Sequence, residues 1–281
     1  MLPRNNKMAD IRQSTEYANY LAEIGWIVEK NDGVYYFIKK LPFIGSVIKN
    51  QRPEKINLSK IEGLRKKYRA FQIILEPKDK KQEILVKNNG FKLSKSPYLP
   101  TKTLQLDLTL SKQKLFNNLK KDCKHEIRRS VKYCLKNIEN TKEFRNGWKK
   151  AVGLKRYVPP ISHLIALKKS FKNNCIFLMT SLPTEVSAKS GAMFLLDGGV
   201  AYYWQAFTNK SGRKSKTQYK IVWEGILWAK KNGAKVFDFE GIYDERFPNK
   251  SWLGFTHFKK SFGGYEVSYP GTFTKNLLQF R

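Results

Sequence analysis

From Gln218 to Lys231 the apolar residues recur at helical steps. Tyr219, Val222, Ile226 and Ala229 lie three or four apart, and Trp223 and Leu227 widen the face. The spacing predicts a helix that stops at Asn232-Gly233. Lys235-Val236-Phe237-Asp238-Phe239 follows as a short strand ending in Glu240-Gly241. After a polar loop, Phe255 to Lys260 runs into Phe262-Gly263-Gly264. An acid–glycine corner and a lysine–glycine corner therefore fall close together, and they are the first candidates for chemistry.

The rest of the chain alternates in the same way. Residues 1–12 are polar and expected to fray. Ser14 caps a predicted helix to Ile24, and Gly25 ends it. Trp26–Val28 and Val34–Ile38 are predicted strands around an Asn-Asp-Gly turn, followed by a strand at Phe43–Ile48. Next come a helix at Leu58–Tyr68, a strand at Ala70–Leu75 ending in Glu76-Pro77, a helix at Lys81–Asn88 and a strand at Lys102–Leu108. Between Ser111 and Leu135, Leu115, Leu119, Cys123, Ile127, Val131 and Leu135 recur every four residues, which predicts one long basic helix. Its other faces carry Lys121, Lys124, Arg128, Arg129 and Lys132: a solvated face, or a track for phosphates.

Further on, helices are predicted at Asn146–Leu154 and Ser162–Phe171, and a strand at Cys175–Ser181. A hairpin, Ser190–Leu196 with Gly199–Phe207, turns at Asp197-Gly198. Asn209 to Lys216 is a predicted mobile basic loop, containing Arg213 and Lys216, that would aim backbone N–H groups at an anion. The tail from Val267 adds a strand and a closing turn.

Charge changes the picture. The 281 residues carry 54 Lys and Arg against 23 Asp and Glu, a net +31. Disordered basic chains lack aromatics; this one has 18 Phe, 14 Tyr and 6 Trp, so a folded core under a basic surface is expected. Such a surface suits nucleic acid, or an anionic membrane or cell-wall precursor. A lysine-rich composition inherited from an AT-rich genome is the bland alternative. Cys123, Cys134 and Cys175 show no CxxC spacing and are expected to be reduced, buried thiols of a cytosolic protein. His125, His163 and His257 do not cluster, which argues against a zinc site. No nucleophile elbow is present, no signal peptide is recognised and no apolar run approaches a membrane span. A cytoplasmic monomer is expected, with room for peripheral contact at the inner membrane face.

From residue 111 the order of elements is that of an acyltransferase domain of the GNAT type. The loop that would hold coenzyme A, GRKSKTQY, lacks its second glycine or alanine. Coenzyme A is therefore disfavoured as the donor.

Gln218-Tyr219, Trp223-Glu224, Trp228-Ala229, Gly233 and Phe237-Asp238-Phe239-Glu240-Gly241-Ile242, with Phe258-Lys259 and Phe262-Gly263-Gly264, resemble the FemABX family of peptidoglycan-bridge aminoacyltransferases. Gln13-Ser14, Glu16-Tyr17, Gly25-Trp26, Glu76-Pro77, Leu106-Asp107-Leu108 and Ile127-Arg128-Arg129 support the likeness. It implies an α/β (α+β) fold of two GNAT-like domains with mixed central sheets: residues 1–105 with 266–281, and 106–265. It implies the compact form, without a coiled-coil arm. The donor would be aminoacyl-tRNA, with no other cofactor and no metal. The acceptor would be an amine of a peptidoglycan precursor, either lipid II or UDP-MurNAc-pentapeptide, or something outside peptidoglycan.

The implied reaction is aminolysis of an ester, which needs positioning, oxyanion stabilisation and proton management but no nucleophilic side chain. By resemblance Lys259 would face the developing charge, and Phe258 would pack beside the terminal adenine or serve as core. Asp238 and Glu240 alternate on a strand, opposite Phe239, so one of them is expected to reach the cleft as a base or amine anchor. Glu76 matches a family carboxylate near the acceptor, and Trp204 an aromatic of the acceptor cleft. The family's diphosphate-binding positions hold Asn19 or Leu21 and Pro159 here, so Lys155 and Arg156 are the substitutes. Arg213, Lys216 and Tyr219 complete the substrate-binding candidates. Two other readings stay open: a GNAT-type N-acyltransferase using an acyl-CoA or acyl carrier, and a non-catalytic RNA- or membrane-surface-binding protein.

Overall fold

The computed structural model describes residues 8–154, 156–181 and 189–276. In chain order it forms α1 (Thr15–Glu23), β1 (Ile27–Asn31), β2 (Val34–Leu41), β3 (Gly45–Gln51), α2 (Leu58–Tyr68), β4 (Ala70–Glu76), α3 (Lys80–Asn88), β5 (Lys92–Leu93) and β6 (Lys102–Asp107). Then come α4 (Lys112–Asn117), α5 (Lys121–Arg129), β7 (Cys134–Asn137), α6 (Thr141–Val152), α7 (Ile161–Phe171), β8 (Cys175–Ser181), β9 (Ser190–Asp197) and β10 (Val200–Thr208). The chain closes with α8 (Lys210–Ser215), α9 (Gln218–Lys231), β11 (Val236–Gly241), α10 (Leu253–Lys260), β12 (Tyr265–Ser268) and β13 (Phe273–Asn276).

Two units result. Among the described residues one comprises Thr103–Ile242 and Lys250–Glu266, and the other comprises 8–102, Tyr243–Asn249 and 267–276. A seven-stranded sheet runs β12-β6-β11-β10-β9-β8-β7, and a six-stranded sheet runs β1-β2-β3-β4-β13-β5. Both are mixed: β10 lies parallel to β11, and β3 parallel to β4, while the neighbouring pairs are antiparallel. In the first unit α9 lays Ile221, Val222 and Ile226 into a core with Leu104, Phe194, Phe237 and Phe239. In the second, Tyr36, Ile38, Ile48, Ile61, Leu75 and Phe273 form the core.

Four expectations need correction. The long helix from Ser111 to Leu135 is two short helices, a 3-10 turn and a strand. Helix α4 stops at Asn118, and Lys120 is extended (ψ 157°) with its N–H on Ser261 O at 2.9 Å. Leu135 then joins β7, where it pairs with Thr180. The four-residue apolar stripe marked the buried side at Leu115, Leu119 and Cys123, but edge pairing decided the backbone.

The basic loop after β10 is helical. Asn209 caps α8 through the Gly212 N–H (2.7 Å), and a Cβ at Gly212 would lie 2.2 Å from Lys189 O. The N–H groups of Thr217 and Tyr219 go to Gly212 O and Lys216 O, so these two amides are not aimed at an anion. The third predicted strand begins later, at Gly45. Residues 1–12 do not fray throughout: 1–7 lie outside the described residues, but Asp10, Ile11 and Arg12 are buried. Elsewhere the predicted elements are present with ends shifted by up to five residues, except that the tail forms a second strand, β13, where a closing turn is expected, and β5 is not foreseen.

Candidate active site

The parallel ladder between β10 and β11 holds three rungs among the described residues: Val200 with Val236, Ala201 with Phe237, and Tyr202 with Asp238. Beyond them both strands leave register with their outer neighbours, β10 between Tyr203 and Gln205, and β11 between Asp238 and Gly241. Glu240 sits at φ +59°, which ends the strand's strict alternation. The expected two-residue periodicity at Asp238 and Glu240 is therefore broken by a bulge. Asp238 stays buried and Glu240 is half-buried.

Helix α10 brings Lys259 to this point. Its Nζ donates to Phe239 O (2.8 Å) and Gly241 O (2.6 Å), and it lies 5.0 Å from the Phe255 ring centroid and 5.7 Å from that of Tyr203. The residue is 8% exposed, and burial pushes its amine down to about 8 against the pull of the Glu240 and Asp238 charges. The turn after α10 is fixed by Gly264 at φ +94°, where a Cβ would lie 2.3 Å from Gln105 O.

Asp238 holds the counterpart. Oδ2 accepts from Gln105 Nε2 (2.8 Å), while Oδ1 accepts from the Glu240 N–H (2.7 Å) and meets Thr103 Oγ1. Burial, then the Glu240 charge, push this carboxyl up to about 6. Thr103 Oγ1 also contacts Glu240 O, and a hydroxyl has one proton for two acceptors. A protonated Asp238 resolves this: its proton goes to Thr103, and the Thr103 proton goes to Glu240 O. Thr103 and Gln105 were not singled out in the sequence. Their signal was present, since the two alternate with Leu104 and Leu106 on β6 and put a polar pair on one strand face.

The other candidates divide. Tyr219 and Phe258 meet edge to face at 4.8 Å and pack on Phe262, so both belong to the core's margin. Trp204 is half-buried at the β10 bulge. Arg156 donates to Ala206 O (3.0 Å) and Gln205 Oε1 (3.1 Å), placing its cation beside β10; Lys155 lies outside the described residues. Arg213 donates to Thr208 O (2.7 Å), and Lys216 pairs with Glu126 (3.1 Å). On α5 and the turn after it, Lys121, Arg128 and Lys132 are exposed; Arg129 pairs with Glu126 (3.1 Å), and Lys124 donates to Asn117 O (2.9 Å).

Glu76 belongs to the other unit. It is 3% exposed and accepts from Gln51 Nε2 (2.8 Å) and Thr272 Oγ1 (2.9 Å). Nearby, Asp10 is buried between Arg12 and Arg52, each at 3.0 Å, and the two guanidinium groups hold its carboxyl below the usual range although burial alone would raise it. Cys123 and Cys175 are buried, Cys134 is half-buried, and all three are free thiols.

The FemAB family model matches residues 167–281. No curated protein matches. Among solved structures, FemX shares the fold at TM-score 0.78 with 16% identity, over 96% of this chain and 93% of that one. L-PGS from Bacillus licheniformis follows at TM-score 0.60, 12% identity, 92% and 87%. A tandem GNAT protein from the clavulanic acid biosynthesis pathway matches at TM-score 0.58, 9% identity, 90% and 82%. The architecture is thus the tandem GNAT-like one, and among the described residues no helix exceeds the 14 residues of α9, so no coiled-coil arm is seen there. The FemAB family model thus matches the C-terminal part of the chain, residues 167–281, and the FemX fold is shared over 96% of it.

Proposed function

We propose that this chain is an aminoacyltransferase that moves an amino acid from aminoacyl-tRNA to an amine of a peptidoglycan precursor, a lipid-linked or UDP-linked muropeptide. The observation that carries the reading is the Lys259 amine, held on the Phe239 and Gly241 carbonyls where β10 and β11 part, with Asp238 buried beside it. The FemAB match over residues 167–281 suggests the reaction class.

In this reaction the acceptor amine attacks the ester carbonyl. A C–N bond forms, the C–O bond to the tRNA ribose breaks, and one proton passes from the attacking nitrogen to the ribose oxygen. An ammonium has three N–H donors, and two of those on Lys259 go to the backbone carbonyls. The third is the donor for the oxyanion, in a site dry enough to make that contact count. Asp238 does not need to touch substrate. Ionised, it favours the charged form of Lys259; protonated, it releases that hold. Asp238 is thus a positioning residue that ties the charge of Lys259 to pH. The exposed Lys121, Arg128 and Lys132 are the surface on which tRNA phosphates would run.

A second reading of the acceptor is a phospholipid headgroup, since a putative lysylphosphatidylglycerol synthetase shares the fold. Transfer to a hydroxyl would leave an ester, which hydroxylamine cleaves; transfer to an amine leaves an amide, which it does not. Coenzyme A as donor is disfavoured because the loop lacks its second glycine or alanine, and the Thr217 and Tyr219 amides go to Gly212 O and Lys216 O. The test is transfer of labelled amino acids from a pool of charged tRNAs to lipid-linked and UDP-linked muropeptides and to phosphatidylglycerol. Hydroxylamine-stable label on a muropeptide is expected. Label on lipid alone would move the acceptor, and no transfer with coenzyme A bound by calorimetry would overturn the donor.

A further inference from the structure

The hairpin joining β2 to β3 ends in Leu41-Pro42-Phe43-Ile44, and this tip is turned outward. Phe43 is 108% exposed and Ile44 57%, more than a chain folded for water alone ordinarily shows side by side. Phe43 also sits at φ +64° in a tight turn, where the Ile44 N–H is shared between Pro42 O (2.8 Å) and Leu41 O (3.4 Å). Pro at the second place and a left-handed third place are the signature of a turn that takes glycine there. The chain instead holds a phenylalanine in the strained position, with its ring in solvent. Lys40, Tyr68 and Arg69 line the same cleft, about 540 Å³ in volume, and Lys66 is exposed at the same end of α2. An apolar tip within a basic collar, on a chain of net +31, is complementary to one kind of surface: a bilayer with anionic headgroups.

We infer that the Leu41–Ile44 tip is a membrane-docking element. Phe43 and Ile44 enter the boundary between headgroups and acyl chains, and Lys40 and Arg69 meet anionic lipid phosphates. Attachment by this element is peripheral, since no helix among the described residues is long and apolar enough to cross a membrane. The inference stands apart from the transferase reading, because vesicle binding is measured without any reaction.

The test is co-sedimentation of the full chain with vesicles of phosphatidylglycerol and phosphatidylethanolamine, and with vesicles of phosphatidylcholine alone. Wild type is expected to bind the anionic vesicles and far less the neutral ones. Phe43→Ser should lower partitioning about tenfold, and Phe43→Ser with Ile44→Ser about 100-fold. Lys40→Glu should lower it at least fivefold, on anionic vesicles only. Phe43→Trp should add a tryptophan whose emission is quenched by brominated acyl chains. Phe43→Gly, which relieves the backbone, should bind as poorly as Phe43→Ser while unfolding at no lower temperature than wild type.

Equal sedimentation of wild type and the double serine variant would overturn the inference, because binding would then be a property of the overall charge. So would an unquenched Trp at position 43. A wild-type dimer that the double variant abolishes would assign the tip to a second copy instead. Loss of tRNA binding by the tip variants with vesicle binding intact would assign it to RNA.

Discussion

Each unit of this chain contains a parallel strand pair, and the two are finished in opposite ways. β3 and β4 stay in register from Val47 with Gln72 to Gln51 with Glu76, and their ends are sealed by the Gln51–Glu76 hydrogen bond. β10 and β11 hold three rungs and part, each with a bulge on its outer side. The buried carboxyls follow the same division. Asp10 has two guanidinium partners and its proton affinity falls; Asp238 has hydroxyl and amide donors with a second carboxylate nearby, and its affinity rises. Burial is similar at 8% and 4%, so the partners and not the depth decide the direction. One group is satisfied as a charge. The other is held near its titration point, as a site that manages protons requires.

The comparison breaks first at Asp10. Asp10→Asn removes the carboxylate charge that Arg12 and Arg52 share and should cost about 3–5 kcal/mol in urea unfolding at pH 7. Asp10 is depressed in the fold, so its contribution is present above the unfolded carboxyl range and is lost as pH falls through its folded value. A cost below about 1 kcal/mol would mean the cluster is not the structural one described.

Asp238 should behave in the reverse sense. Its folded value of about 6 exceeds the unfolded 3.8, so stability present below 3.8 is lost as pH rises through 6. Asp238→Asn removes the ionisation, and the Gln105 amide can turn to match the new NH2. The variant should gain about 1–3 kcal/mol over wild type at pH 8 and much less at pH 4.5. A variant equally destabilised at both would show that Asp238 serves packing alone.

How far the site was legible follows from these residues. Lys259, Asp238 and Glu240 were singled out because a motif marks them, and periodicity put helix, strand and helix around them, as the fold has it. Their geometry was not legible, since the Glu240 bulge is a backbone choice that alternation cannot foresee. The Asp10–Arg12–Arg52 cluster was missed because its members lie up to 42 residues apart and polar residues near a terminus suggest fraying. The two breaks in the expected Ser111–Leu135 helix have tertiary causes, a bond to Ser261 and the pairing of β7 with β8, neither of which is local in sequence.

Glu76 gives the smallest expected effect. Its two donors come from Gln51 and Thr272, and Gln51 can turn its amide to meet a glutamine. Glu76→Gln should cost about 1 kcal/mol, the worth of an ordinary hydrogen bond, and leave the maximal transfer rate within threefold. A large fall in that rate at unchanged stability would make Glu76 part of the chemistry, as its resemblance to a family carboxylate suggested, and would erase the contrast between the two strand pairs.

The most direct test of the central claim is single-turnover transfer from charged tRNA, followed from pH 5 to 9 for wild type and Lys259→Met, with tRNA affinity and thermal unfolding measured on the same preparations. Wild type should rise as the acceptor amine sheds its proton and fall as Lys259 loses its own near 8. Lys259→Met should be slower by about 10²–10³, with the fall near 8 gone and with tRNA affinity and unfolding temperature held. Transfer within threefold of wild type, or the same two limbs in the variant, would contradict the account.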